Sequence, residues 1–152
     1  MPKDTRHARS TTKHFIAFIA ALYFTVTFQH VALADDWPQW RGPTRDGVWH
    51  ETGVLKSFPA KQIKLRWKAK ISSGYSGPTV ADGRVYVTDR FIVDDDETKQ
   101  TERVHCFDWK TGKPLWLHAY DCPYVDVSYR AGPRASVSID SGRAYSLGTM
   151  GH

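Results

Sequence analysis

From Lys64 to Ile71 the chain alternates strictly: Leu65, Trp67, Ala69 and Ile71 fall on one side of an extended segment, and Lys64, Arg66, Lys68 and Lys70 on the other. A period of two over eight residues predicts a strand with one buried face. The cationic row reads as the solvated, anti-aggregation side of an outer strand rather than a polyanion site. GPTVADGRVYVTDR follows, predicted as two short strands joined by Asp82-Gly83, the dipeptide that supplies positive φ to a tight hairpin. Val85 and Val87 share one face; Arg84, Tyr86 and Thr88 share the other. After Phe91 to Val93 a polar stretch, DDDETKQTE, is predicted as a solvated loop. Its Asp94, Asp95, Asp96 and Glu97 lack the alternate spacing and the central Gly of a calcium loop. RVHCFD from Arg103 and KPLWLHAY from Lys113 predict two more strands, joined by DWKTG. In that turn Asp108 can accept backbone N–H bonds and Gly112 can close the chain in a left-handed conformation.

The pattern then restarts. GPTVADGRVYVTD from Gly77 aligns with GPRASVSIDSGRAYSLG from Gly132, the second copy longer in its first strand and at its turn, with Gly83 and Gly142 59 residues apart. Repeated hairpins of this kind predict four-stranded units of a propeller or solenoid. Such a unit presents two apolar faces and needs neighbours to cover them. The chain holds an outer strand, one set of four and two strands of the next before stopping at His152 in mid-unit, as expected of an N-terminal piece.

Upstream, Asp35 to Ile63 predicts an irregular arm, broken by Pro38, Pro43 and Asp46-Gly47. Trp37, Trp40 and Trp49 are expected to lie on a neighbouring sheet rather than in water or on a ligand. Residues 1–34 have the three-part layout of a secretory signal peptide: Lys3, Arg6, Arg9 and Lys13, then the uncharged Phe15 to Phe28, then VALA with Ala32 and Ala34 at the cleavage positions. Fourteen residues are too short to span a hydrocarbon core of about 30 Å. With no Cys at the junction and no Arg pair, neither a lipid anchor nor a twin-arginine route is expected. The mature chain is expected in the periplasm or outside the cell, without a stable membrane anchor.

Charge changes the picture only after that division. The whole chain carries 21 Lys and Arg against 16 Asp and Glu, a net +5; the leader takes four basic residues and one acidic, leaving +2. A nucleic-acid partner loses its electrostatic basis. Apolar residues at 41% and six Trp exclude a disordered chain, and the remaining 118 residues allow a single domain. Cys106 and Cys122 should be unpaired thiols, because a hairpin at Lys110 to Gly112 sets Cys106 opposite a residue near Leu115. Cys122 then falls roughly 20 Å further along, against a disulfide reach of about 5.5 Å. His105 and His118 have no Ser, Cys or carboxylate at a useful spacing and are read as packing or surface residues.

CFDWKTGKPLW resembles the repeat signature A-x-D-x-x-T-G-x-x-x-W of quinoprotein propellers, matched at Asp108, Thr111, Gly112 and Trp116, with Cys106 in the Ala position and Lys113 after the Gly. DWPQWRGPTRDG, GYSGPTVADGRVYV and AGPRASVSIDSGRAYSLGTMGH also resemble secreted bacterial PQQ-like (pyrroloquinoline-quinone-like) repeat proteins. The resemblance implies an all-β partial propeller, about one and a half four-stranded blades over residues 64–152, after signal peptide 1–34 and arm 35–63. It also implies structural roles: Asp108 and Thr111 fix the turn, and Trp116 joins one blade to the next. Quinoprotein dehydrogenases hold the quinone and Ca²⁺ beneath an adjacent-cysteine disulfide and beside a catalytic Asp, none of which has a matching position here. The propeller of the outer-membrane barrel-assembly machinery shares the repeat without quinone but is a lipoprotein, which Ala34-Asp35 does not encode. The expectation is therefore a binding or scaffold module with no catalytic, cofactor or metal residues of its own, whose partners are proteins or further blades. Two alternatives stay open: the N-terminal fragment of a PQQ-dependent alcohol or sugar dehydrogenase, with PQQ and calcium only in the full-length parent, or a short protein that completes its propeller by oligomerising.

Overall fold

The fold is all-β. A computed structural model describes residues 35–58 and 63–152, so the leader with Ala32 and Ala34, and residues 59–62 of the arm, lie outside the described residues. No helix among the described residues is long and apolar enough to cross a membrane. Strands β1 (Thr79–Ala81), β2 (Arg84–Ile92), β3 (Gln100–Asp108) and β4 (Pro114–Asp121) form one antiparallel sheet in chain order. Strands β5 (Ser138–Asp140) and β6 (Arg143–Tyr145) pair as a second, two-stranded sheet. Asp82 and Gly83 turn β1 into β2 at φ of 51° and 71°, and Ser141 and Gly142 turn β5 into β6 at 48° and 74°. Both are two-residue loops with positive φ throughout, which match the twist of the strands they join. The second turn is thus no longer than the first; the extra residues of the second copy all precede it.

The faces of the four-stranded sheet differ. Tyr86, Val104 and Cys106 are buried on one face, packed against Val137 and Ile139 of the second sheet segment. Val85 and Val87, on the other face, are only half-buried. The arm stitches the two sheets together. Trp37 exchanges backbone hydrogen bonds with Val80 of β1 (2.8 and 3.1 Å), and the next residue, Pro38, accepts one from Ile139 of β5 at 2.8 Å. A gap of about 110 Å³ remains between Val104, Trp116 and His118 on one side and Val137 and Ala144 on the other.

Several expectations need correction. Lys64–Ile71 is not a laddered strand: Leu65 is 73% exposed and Ile71 39%, and the segment makes no strand pairing before Ser73 bridges Arg90. Alternation predicts which side of an extended segment is greasy but cannot supply the neighbouring strand that its backbone groups require. Trp40 and Trp49 of the arm are exposed, and of its three Trp only Trp37 pairs with a sheet. The polar loop is shorter than expected, because β3 begins at Gln100 and buries Gln100 and Glu102. Cys106 pairs across the hairpin with Trp116, one residue beyond Leu115, through a register shift between Cys106 and Phe107. Cys106 and Cys122 are separate, fully buried free thiols.

Candidate functional site

The motif turn fixes its own backbone. Asp108 Oδ1 accepts from the backbone N–H groups of Lys110 (3.1 Å) and Thr111 (2.8 Å) and from the Thr111 hydroxyl (2.7 Å). The Thr111 hydroxyl accepts in turn from the Lys113 N–H at 3.2 Å. Asp108 and Gly112 close the loop through their main chains, and Gly112 sits at φ 70°. A short polar side chain that captures the turn's own N–H groups is the reason Asp and Thr suit these positions. The same bonds from Thr111 and Lys110 hold the Asp108 carboxyl below its usual range.

Trp67 lies over this turn. Its indole N–H donates to the Trp109 carbonyl at 2.8 Å, and its ring is tilted against Phe107 with centroids 6.1 Å apart. A Cβ on Gly112 would fall 2.5 Å from Trp67 Cδ2, so this close approach depends on glycine as much as the positive φ does. Trp116 meets Tyr86 at a centroid distance of 5.8 Å. Lys113 is exposed beside the turn.

Two buried carboxylates flank the β2–β3 ladder. Asp89 is fully buried on the Val85/Val87 face, where Arg103 grips it through Nε (2.8 Å) and Nη2 (2.6 Å). The Ser72 N–H donates to it at 2.6 Å, and His105 Nε2 lies 3.0 Å away without the alignment of a good hydrogen bond. Burial opposes the charge of Asp89, but His105, Arg103 and Ser72 together outweigh it and hold the group far below the ordinary carboxylate range. His105 thus has a carboxylate partner after all, supplied by the neighbouring strand rather than by sequence spacing.

On the opposite face Glu102, 1% exposed, accepts hydrogen bonds from the hydroxyls of Tyr120 (2.7 Å) and Tyr124 and from the Thr149 N–H (3.1 and 3.2 Å). Here too burial raises the pKa and is overcome by those donors, leaving Glu102 lowered; both tyrosines are raised, by burial first and by the Glu102 charge second. Arg90, also buried, donates to Gln100, Glu97 and the Arg130 carbonyl and stacks over Tyr124 at 4.8 Å. Every carboxylate oxygen of Asp89 and Glu102 accepts at least one hydrogen bond from a protein donor. No described residues form a group of three or more His, Cys, Asp or Glu able to hold a metal ion. Of the acidic run, Asp96 pairs with Lys99 and Glu97 with Arg90.

A cleft of about 570 Å³ lies on the outer side of β5–β6, walled by Trp40, Arg134, Tyr145 and Leu147 with Ser136 and Ser138 between them. Sequence reasoning found the motif turn and missed Asp89, Arg90, Glu102, Arg103, Tyr120, Tyr124 and Thr149. The available signal was Asp89-Arg90, a charged pair inside the predicted strand between Val87 and Phe91. No known protein family, curated protein or solved structure matches the chain.

Proposed function

We propose that this is an exported PQQ-like repeat protein, a propeller-type binding or scaffold module that performs no catalysis of its own. One observation carries the proposal. The D-x-x-T-G turn has its Asp and Thr turned inward to fix the loop, and an indole from a different extended segment, Trp67, seated on its glycine. Such a turn fixes its own backbone and offers its glycine to an indole from a distant segment, as a joint between repeats would. Further support comes from the β1–β2 hairpin recurring as β5–β6 and from two buried carboxylates that are held by structural donors. Export follows from the leader's layout, with cleavage after Ala34, and the partners are proteins or further blades.

Calorimetric titration of the exported protein with PQQ and with Ca²⁺ tests the module against the enzyme. No heat of binding is expected from either; tight binding of PQQ would defeat the proposal. N-terminal sequencing of the exported product should begin at Asp35, whereas a product retained in the cytoplasm with its leader intact contradicts export.

A further inference from the structure

Charge is unevenly divided along residues 35–152. Residues 52–81 hold six Lys and Arg (Lys56, Lys61, Lys64, Arg66, Lys68 and Lys70) and no Asp or Glu. The rest of residues 35–152 carries 11 Lys and Arg against 15 Asp and Glu, a net −4. A chain that is nearly neutral beyond its leader thus sets a cationic stretch against an anionic remainder.

The fold fixes how that stretch is presented. Lys64, Arg66, Lys68 and Lys70 alternate along extended backbone at intervals of about 7 Å, and all four are exposed. The segment is clamped at Trp67, whose indole donates to the Trp109 carbonyl at 2.8 Å, and at Ser72, whose N–H donates to Asp89 at 2.6 Å. Lys110 enlarges the patch: Arg66 and Lys110 both lie over the Trp109 ring, 5.6 and 5.4 Å from its centroid. Among the described residues no carboxylate forms an ion pair with any of these five cations. Asp89, the acid that the segment touches, is buried and held by Arg103. A cationic row can guard the edge of a laddered strand, but residues 64–71 have no ladder to guard.

Large apolar side chains stand in the same stretch without cover: Leu55, Phe58, Ile63 and Leu65 are between 62% and 73% exposed. Cations alone would serve any polyanion. Their apolar neighbours narrow the choice, because a lipid interface takes such side chains singly while lysines keep their ammonium groups at the phosphates. A protein partner needs a matching pocket for each apolar anchor.

We propose that residues 52–71 hold the protein reversibly on the surface of a membrane containing anionic phospholipid. Lys64, Arg66, Lys68 and Lys70 meet the headgroup phosphates, and Leu55, Phe58, Ile63 and Leu65 enter the boundary with the acyl chains. The same surface repels the anionic remainder and so turns this stretch toward it. Attachment of this kind is peripheral and salt-sensitive, unlike a spanning anchor. It stands on charge and exposure and does not depend on the repeat architecture.

Co-sedimentation of the exported protein with vesicles tests the surface. Vesicles of phosphatidylcholine and phosphatidylglycerol in equal parts should carry the protein down at about 0.1 M salt and release it at about 1 M, where screening acts within about 3 Å. Vesicles of phosphatidylcholine alone should not bind it. Lys68→Glu and Arg143→Glu change the net charge equally at exposed positions, and only the first lies in the stretch. Lys68→Glu should weaken binding by about fivefold or more, and Arg143→Glu should leave it unchanged. Lys70→Glu repeats the charge test at a second exposed position if Lys68→Glu melts early. Phe58→Ser combined with Leu65→Ser should weaken binding by about tenfold. No binding to anionic vesicles, equal binding to both kinds, equal loss in the two charge variants, or no loss in the apolar variant would overturn the assignment. Retention on immobilised polyglutamate without vesicle binding would overturn it in favour of an acidic polypeptide partner.

Discussion

Asp89 and Glu102 are diagonal neighbours across one strand pair and project from opposite faces of the same sheet: Asp89 stands opposite Arg103 and Arg90 opposite Glu102. Both carboxylates are buried, at 0% and 1% exposure. The β2–β3 ladder is thus pinned by a buried, hydrogen-bonded acid on each side. A slip of one residue would move every side chain to the wrong face and strand both charges without partners.

Asp89→Asn should be the most costly conservative change in the sheet. It leaves the largely buried Arg103 guanidinium without its counter-charge, an arrangement that costs about 3 kcal/mol. Glu102→Gln removes one charge from a set of neutral donors and should cost less, about 1–3 kcal/mol. Urea denaturation midpoints of the two variants measure the difference, and an equal or reversed order would contradict the ion-pair account.

Acid should unfold the protein through the same two groups. Their folded pKa values are depressed, while the unfolded values lie near 4. The stability they contribute is fully present above about pH 4 and is lost as pH falls through the folded values. Stability measured by urea from pH 7 downward should stay nearly level to about pH 4 and then decline, and Asp89→Asn should flatten the decline. A decline that begins well above pH 5 in the parent chain would assign acid sensitivity to other groups.

Gly112→Ala should be destabilising for two separable reasons, a left-handed φ and a collision with Trp67. The backbone contribution is about 1 kcal/mol and survives in any background. The collision disappears when Trp67→Ala is present, so a double-mutant cycle should show Gly112→Ala costing markedly less beside Trp67→Ala. Additive costs would mean that Trp67 does not rest on the turn in solution.

Cys106 and Cys122 should resist thiol reagents until the protein unfolds. Both are fully buried, and burial raises both pKa values, which suppresses the reactive thiolate. Titration with an aromatic disulfide should label neither thiol in buffer and both in denaturant; one fast native thiol would show that β3 or the Cys122 segment opens readily.

Local chemistry was legible wherever it is completed within a few residues. Asp82-Gly83 announced its hairpin, Asp108 to Gly112 its turn and Gly142 the second hairpin, because each satisfies its own backbone within the turn. Lys64–Ile71 shows the limit of periodicity: the pattern of an outer strand is present, yet a strand is a relation between two segments, and among the described residues only one is there. His105 shows another limit. Its carboxylate partner is 16 positions away in sequence and reaches it only through the register of β2 against β3.

The amino-acid order alone determined an all-β chain, its turns and its repeat, since these follow from side-chain period and from short side chains bonding nearby N–H groups. Tertiary structure decided which face is covered, which acids are buried, and that Tyr86 is enclosed while its counterpart Tyr145 is open. Those outcomes depend on what stands across a sheet from each residue, and that distance is set by strand pairing rather than by separation along the chain.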